Sequence, residues 1–151
     1  MTSNAAAETA VDLLLYSDDS TTRRHVIDAV GRRPGKGLPT VRWTEAATGV
    51  GAMTKIAAGD FALVVLDAEA AKTGGMALAR QIKTEIFDAP PVLVLTGRPE
   101  DRWLATWSDA DAVVPAPYDP MALQEAVAAL LREGAEADRV SSVALTTGDH
   151  A

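Results

Sequence analysis

Phe61-Ala62-Leu63-Val64-Val65-Leu66-Asp67-Ala68-Glu69 is a continuous apolar run that ends in an acid. Such a run suits a strand buried on both faces of a parallel sheet, and periodicity alone does not separate it from a buried helix segment. The β-branched Val64 and Val65, the short length and the Gly59-Asp60 turn in front decide for a strand. Asp67 then stands at the strand's carboxyl end, where open α/β sheets place their ligand crevices. It is the chief functional candidate.

Working outward, the same theme recurs. Val11 to Tyr16 reads as a first strand that stops at Ser17-Asp18-Asp19-Ser20, a mix of acids and helix-capping residues. Thr21 to Val30 follows as a helix whose Arg23-Arg24 pair opposes the helix dipole, and so serves either a solvated face or something other than helix stability. Gly31-Arg32-Arg33-Pro34-Gly35-Lys36-Gly37 looks like a phosphate loop but has three residues before Gly-Lys and no Ser or Thr after it. It reads as an exposed connection. Leu38 to Thr44 is a second strand, and Glu45 to Ala58 a helix weakened by Gly49 and Gly51.

Beyond the central strand, Ala70 to Gly75 is a loop and Met76 to Phe87 a helix with its Met and Phe in the core. Pro90-Pro91 leads into the apolar strand Val92 to Leu95, which ends at Thr96-Gly97. A helix is expected over Glu100 to Asp109, then a short strand Ala112 to Val114. Pro115-Ala116-Pro117-Tyr118-Asp119-Pro120 makes a sharp turn that invites a cis peptide. Asp119 caps and Pro120 opens a last helix to about Glu133.

Strand and helix alternate five times, which predicts an α/β fold with right-handed crossovers, a parallel sheet and helices on both faces. The strands holding Leu14, Val64 and Leu93 are the most apolar and should be central. We expect a flexible N-terminus over 1–10, one domain over 11–134 and a disordered tail over 135–151.

Composition narrows the function. A net charge of -7 disfavours binding to phosphate backbones, so a protein or cation partner is expected rather than nucleic acid. The absence of cysteine excludes disulfides and thiolate metal sites. Neither a secretory leader nor a membrane-length apolar run is found, so a cytoplasmic protein without membrane insertion is expected.

If the three apolar strands are neighbours, Asp18, Asp67 and Thr96 meet at the sheet's carboxyl edge. Two carboxylates with backbone carbonyls and water could hold Mg²⁺, and a carboxylate can act as a nucleophile toward phosphorus. The alternative is that Asp18 and Asp19 cap the first helix while Asp67 ends a strand in solvent.

Five segments in order resemble the receiver domain of bacterial two-component response regulators. Leu13 to Arg24 looks like its first strand, acid pocket and first helix start, and Phe61 to Asp67 like its phosphoacceptor strand. Gly75, eight residues after Asp67, is similar to its loop glycine, and Leu95-Thr96-Gly97 to the strand end that supplies its hydroxyl. Ala110 to Pro120 is similar to its last strand and Lys-Pro-aromatic-Asp-Pro turn. The resemblance covers Val11 to Glu133. It implies a flavodoxin-like, doubly wound three-layer fold, a five-stranded sheet of order 2-1-3-4-5 with five helices. It further implies that Asp67 takes a phosphoryl group from a histidine kinase with Mg²⁺, held by Asp18, Asp67, the Glu69 backbone carbonyl and Ser17 in an acid's place. Thr96 would be the switch hydroxyl.

Three departures accompany these matches. Ser17 replaces one metal-site acid, and Asp19 beside it points elsewhere. Ala116 replaces the lysine that contacts phosphoryl oxygens, a loss typically worth a few kcal/mol. Val113 replaces the switch aromatic.

The expected function is therefore an atypical, stand-alone receiver acting through protein–protein contact, with a histidine kinase or a downstream target as partner. Trp103 and Trp107 mark a candidate partner surface, although at least one of them is expected in the core. A homodimer would use the face formed by the helix over 100–109, the last strand and the last helix. Self-phosphorylation from a phosphodonor and self-dephosphorylation are the only chemistry expected. The alternative is a small phosphohydrolase with Asp67 as nucleophile, which needs a second acid for the leaving group. A flavodoxin-type cofactor protein ranks last, because Ser17-Asp18-Asp19 opposes a phosphate.

Overall fold

The computed structural model describes residues 10–70, 74–98, 101, 103 and 108–148. In chain order these form β1 (Val11–Tyr16), α1 (Ser20–Val30), β2 (Val41–Ala46), α2 (Gly49–Ala58), β3 (Phe61–Asp67), α3 (Gly75–Glu85), β4 (Val92–Thr96), β5 (Ala112–Pro115) and α4 (Pro120–Gly148). All five strands are parallel, in the order β2-β1-β3-β4-β5. The expected strand order is thus observed, with β1, β3 and β4 in the middle.

Successive strand residues face opposite sides of a sheet, and here both sides are apolar. Leu13, Leu15, Leu63, Val65, Leu93 and Leu95 pack against Val26 and Val30 of α1 and Leu123, Val127 and Leu131 of α4. Leu14, Tyr16, Val64, Leu66, Val92 and Val94 pack against Ala52 and Ile56 of α2 and Leu78, Ala79 and Ile82 of α3. Two cores, one per face, explain why the central strands carry no polar alternation.

Several boundaries differ from expectation. The described residues contain four helices rather than five; the one expected over Glu100 to Asp109 lies outside them apart from Asp101, Trp103 and its last residues. Glu45 belongs to β2, paired with Leu15, so α2 starts later. There the Thr48 hydroxyl accepts the Gly51 N–H at 3.0 Å, and both glycines fall in the first turn instead of the helix interior. Phe87 is 98% exposed rather than in the core. Its helix ends at Glu85, and Asp88 turns the chain away with a φ of 55°, which removes Phe87 from the buried stripe.

The last helix does not stop near Glu133 but continues to Gly148. One glycine costs a helix only about 1 kcal/mol relative to alanine, and Ala135, Glu136, Ala137 and Arg139 after it are good helix formers. The extension passes the rim where the strands begin. There Gly134, Ala135 and Asp138 border a groove of about 670 Å³ together with Asp12, Asp60 and Pro91.

Candidate functional site

Parallel register fixes the site. Tyr16 pairs with Leu66 and Asp67 with Leu95, so Ser17, Asp67 and Thr96 fall in a row along the carboxyl edge of β1, β3 and β4. All three are buried, Asp67 at 4% exposure and the two hydroxyl residues fully.

Asp67 is held on both carboxylate oxygens. The Ser17 hydroxyl donates to Oδ2 at 2.7 Å, and the Glu69 backbone N–H donates to Oδ1 at 2.8 Å. Ser17 Oγ in turn accepts the Asp19 N–H at 3.1 Å. The Arg23 guanidinium donates to the Ser17 carbonyl at 2.6 Å and to Glu45 Oε1 at 2.9 Å. Arg23 therefore clamps the β1–α1 connection against β2, while Arg24 is exposed.

Asp18 is exposed at the rim. Asp19 does point elsewhere: as the cap of α1 its oxygens accept the Thr21 N–H at 2.9 Å and the Thr22 hydroxyl at 3.2 Å. Asp119 plays the same part for α4, accepting the Ala122 N–H at 3.0 Å. Glu69 is exposed, its carboxylate lying against Gly97 so closely that any side chain there would collide with it. Gly75 is packed on the backbone of Asp67; a Cβ would stand 2.7 Å from the Asp67 carbonyl carbon.

On the other flank, the Ala116 N–H donates to the Thr96 carbonyl at 2.8 Å, which ties the backbone of Ala116 to the end of β4, and the Ala116–Pro117 peptide is cis. Val113 pairs with Val94 and packs into the α2/α3 core. The Thr96 hydroxyl is buried and has no hydrogen-bond partner among the described residues. Trp103 is 67% exposed, and Trp107 lies outside the described residues.

Sequence reading passed over Tyr118 except as the aromatic of a turn. Burial, and then the negative charges of Asp67 and Glu69, push its phenol up to about 12. Its backbone carbonyl accepts a hydrogen bond from His25 Nε2 at 2.7 Å, which ties the turn to α1. Only the register of β5 beside β4 brings this turn to Asp67, and no spacing in the sequence signals it.

Mg²⁺ needs several oxygens converging on one point. Among the described residues no three His, Cys, Asp or Glu side chains are grouped so as to hold a metal ion. Ser17 Oγ, expected in an acid's place, is directed into a hydrogen bond with Asp67. The expected set has two carboxylates at this edge, Asp18 and Asp67, with a hydroxyl and a backbone carbonyl in place of a third acid.

A parallel 2-1-3-4-5 sheet with a buried aspartate ending β3 and a buried hydroxyl ending β4 is the arrangement that the resemblance to a receiver domain implies. An uncharacterized response regulatory protein of Mycobacterium tuberculosis, found in strains CDC 1551 and H37Rv, is 47% identical over 126 residues, 83% of this chain and 95% of the relative. The CheY-like receiver domain protein of Methanospirillum hungatei has the same fold, with a TM-score of 0.69 at 21% identity, covering 85% of this chain and 98% of that one. Response regulator TrrA of Thermotoga maritima, crystallised with Mg²⁺ and BeF, gives a TM-score of 0.66 at 25% identity over 80% and 98% of the two chains. No family model matches the chain. The chain belongs to the response regulators and is a component of two-component signalling. No helix among the described residues is long and apolar enough to cross a membrane.

Proposed function

We propose that Asp67 is the phosphoacceptor of this response regulator and that a histidine kinase is its donor. A carboxylate oxygen of Asp67 attacks the phosphorus, the P–N bond of the phosphohistidine breaks, and the electron pair returns to the imidazole. The observation that carries the reading is the buried Thr96 hydroxyl, without a hydrogen-bond partner among the described residues, on the strand next to Asp67. An unsatisfied buried hydroxyl is costly, and a phosphoryl oxygen on Asp67 would give it an acceptor.

Transfer should be slow, because Ala116 offers no cation to the developing charge and Glu69 adds a negative one nearby. Output then passes to a target protein, or to a second copy, through the face of β5, α4 and the exposed Trp103, in the cytoplasm. Intact-mass spectrometry after incubation with acetyl phosphate tests the acceptor. One phosphoryl adduct is expected on the native chain and none on Asp67→Asn; equal labelling of both, or of neither, would end this reading.

A further inference from the structure

Every polar group of Ser17 is engaged. Its N–H donates to the Ala46 carbonyl at 3.1 Å and its carbonyl accepts from Arg23 at 2.6 Å. Its oxygen accepts from the Asp19 N–H at 3.1 Å and donates to Asp67 Oδ2 at 2.7 Å. A hydroxyl has one proton to give and an ionised carboxylate only accepts, so the Ser17 proton lies on the line to Asp67. A cation approaching Oδ2 from that side meets a proton. The other oxygen of Asp67 is held by the Glu69 N–H, and Asp18 stands at the exposed rim.

We propose that Ser17 is a specificity-determining residue that replaces a divalent cation with a hydrogen bond: its hydroxyl latches the Asp67 carboxylate and makes the pocket a poor cation site. The inference deepens the phosphoacceptor reading and rests on it for the identity of the site. It follows that an acid at position 17 reverses the preference. Such an acid removes the proton, adds ligand oxygens and sets a like charge beside Asp67, which only a cation relieves.

The test titrates Mn²⁺ alone into the full chain and follows paramagnetic broadening of the Asp67 to Glu69 amide signals by NMR. The wild type should show no broadening selective for these residues below millimolar Mn²⁺. Ser17→Asp should show it at roughly 10- to 100-fold lower concentration, the factor that corresponds to one charge-assisted hydrogen bond. The double variant S17D/D67N should lose that gain.

Ser17→Ala, which removes the hydroxyl without adding charge, should bind about 10-fold tighter than wild type, the low end of the worth of a hydrogen bond to a charged group. Selective broadening of the wild type at the concentration that suffices for S17D overturns the proposal, as does an S17A titration identical to wild type. The S17A comparison does not require S17D to fold. The titration uses no phosphodonor, so failure to label Asp67 would end the acceptor reading and leave the cation result standing.

Discussion

Thr96→Val should make this protein more stable while impairing its phosphorylated state. Thr96 is fully buried between strand neighbours, and its hydroxyl has no partner among the described residues. Burying an unsatisfied hydroxyl costs roughly 1–3 kcal/mol. Valine keeps the β-branched outline and puts a methyl group where the hydroxyl was, so the penalty disappears without opening a cavity. We expect a gain of about 1 kcal/mol, at the low end because the denatured state also reorganises. For a domain of this size that is a rise in Tm of roughly 3–5 °C. Urea unfolding followed by circular dichroism should show a higher midpoint at unchanged slope. Treated with acetyl phosphate, the same variant should carry less adduct on Asp67, or lose it faster, since no hydroxyl meets the phosphoryl oxygen. A variant less stable than wild type would mean that the hydroxyl is already satisfied, and the argument from its orphaned state would fail.

Gly75→Ala sets helix propensity, which favours alanine by about 1 kcal/mol, against a Cβ placed 2.7 Å from the Asp67 carbonyl carbon and 2.8 Å from its oxygen. Backbone atoms on both sides cannot yield cheaply, so a net loss of roughly 1–2 kcal/mol and a lower adduct yield are expected, read from chemical unfolding and intact mass. Tyr118 supplies a pH test. Its phenol titrates at about 12 in the folded protein against an ordinary 10.0, so the folded state binds more protons between those values. Its contribution to stability is complete below pH 10 and is lost as pH rises toward 12. Tyr118→Phe should therefore flatten the fall of stability over that alkaline window and leave neutral pH little changed; an unaltered slope would contradict the burial of the phenol and its placement beside Asp67 and Glu69.

The strands were legible because burial on both faces writes itself as unbroken apolar runs, and Leu63 to Leu66 or Val92 to Leu95 admit few other readings. Acids and hydroxyls at strand ends were legible for the same reason: Asp67 and Thr96 are where those runs stop. What the sequence does not carry is the relation between strands. That Ser17 donates to Asp67, fifty residues away, depends on the β1–β3 register, and the approach of Tyr118 depends on β5 lying beside β4. Local cues also misled where tertiary contacts outweigh them. Apolar spacing carries α3 on to Phe87 although Asp88 turns the chain, and the apolar spacing of the last helix fades after Gly134 although the helix itself continues to Gly148.

The long last helix has a practical corollary. It begins at the rim that holds Asp67, and its extension passes the opposite rim, beside the groove where β1 and β3 begin. At about 1.5 Å per residue its 29 residues span roughly 43 Å. A fluorophore or surface-attachment handle introduced near Gly148 would sit a full domain's thickness from the phosphoacceptor, so immobilised or labelled protein could be challenged with kinase while its reactive edge stays unobstructed.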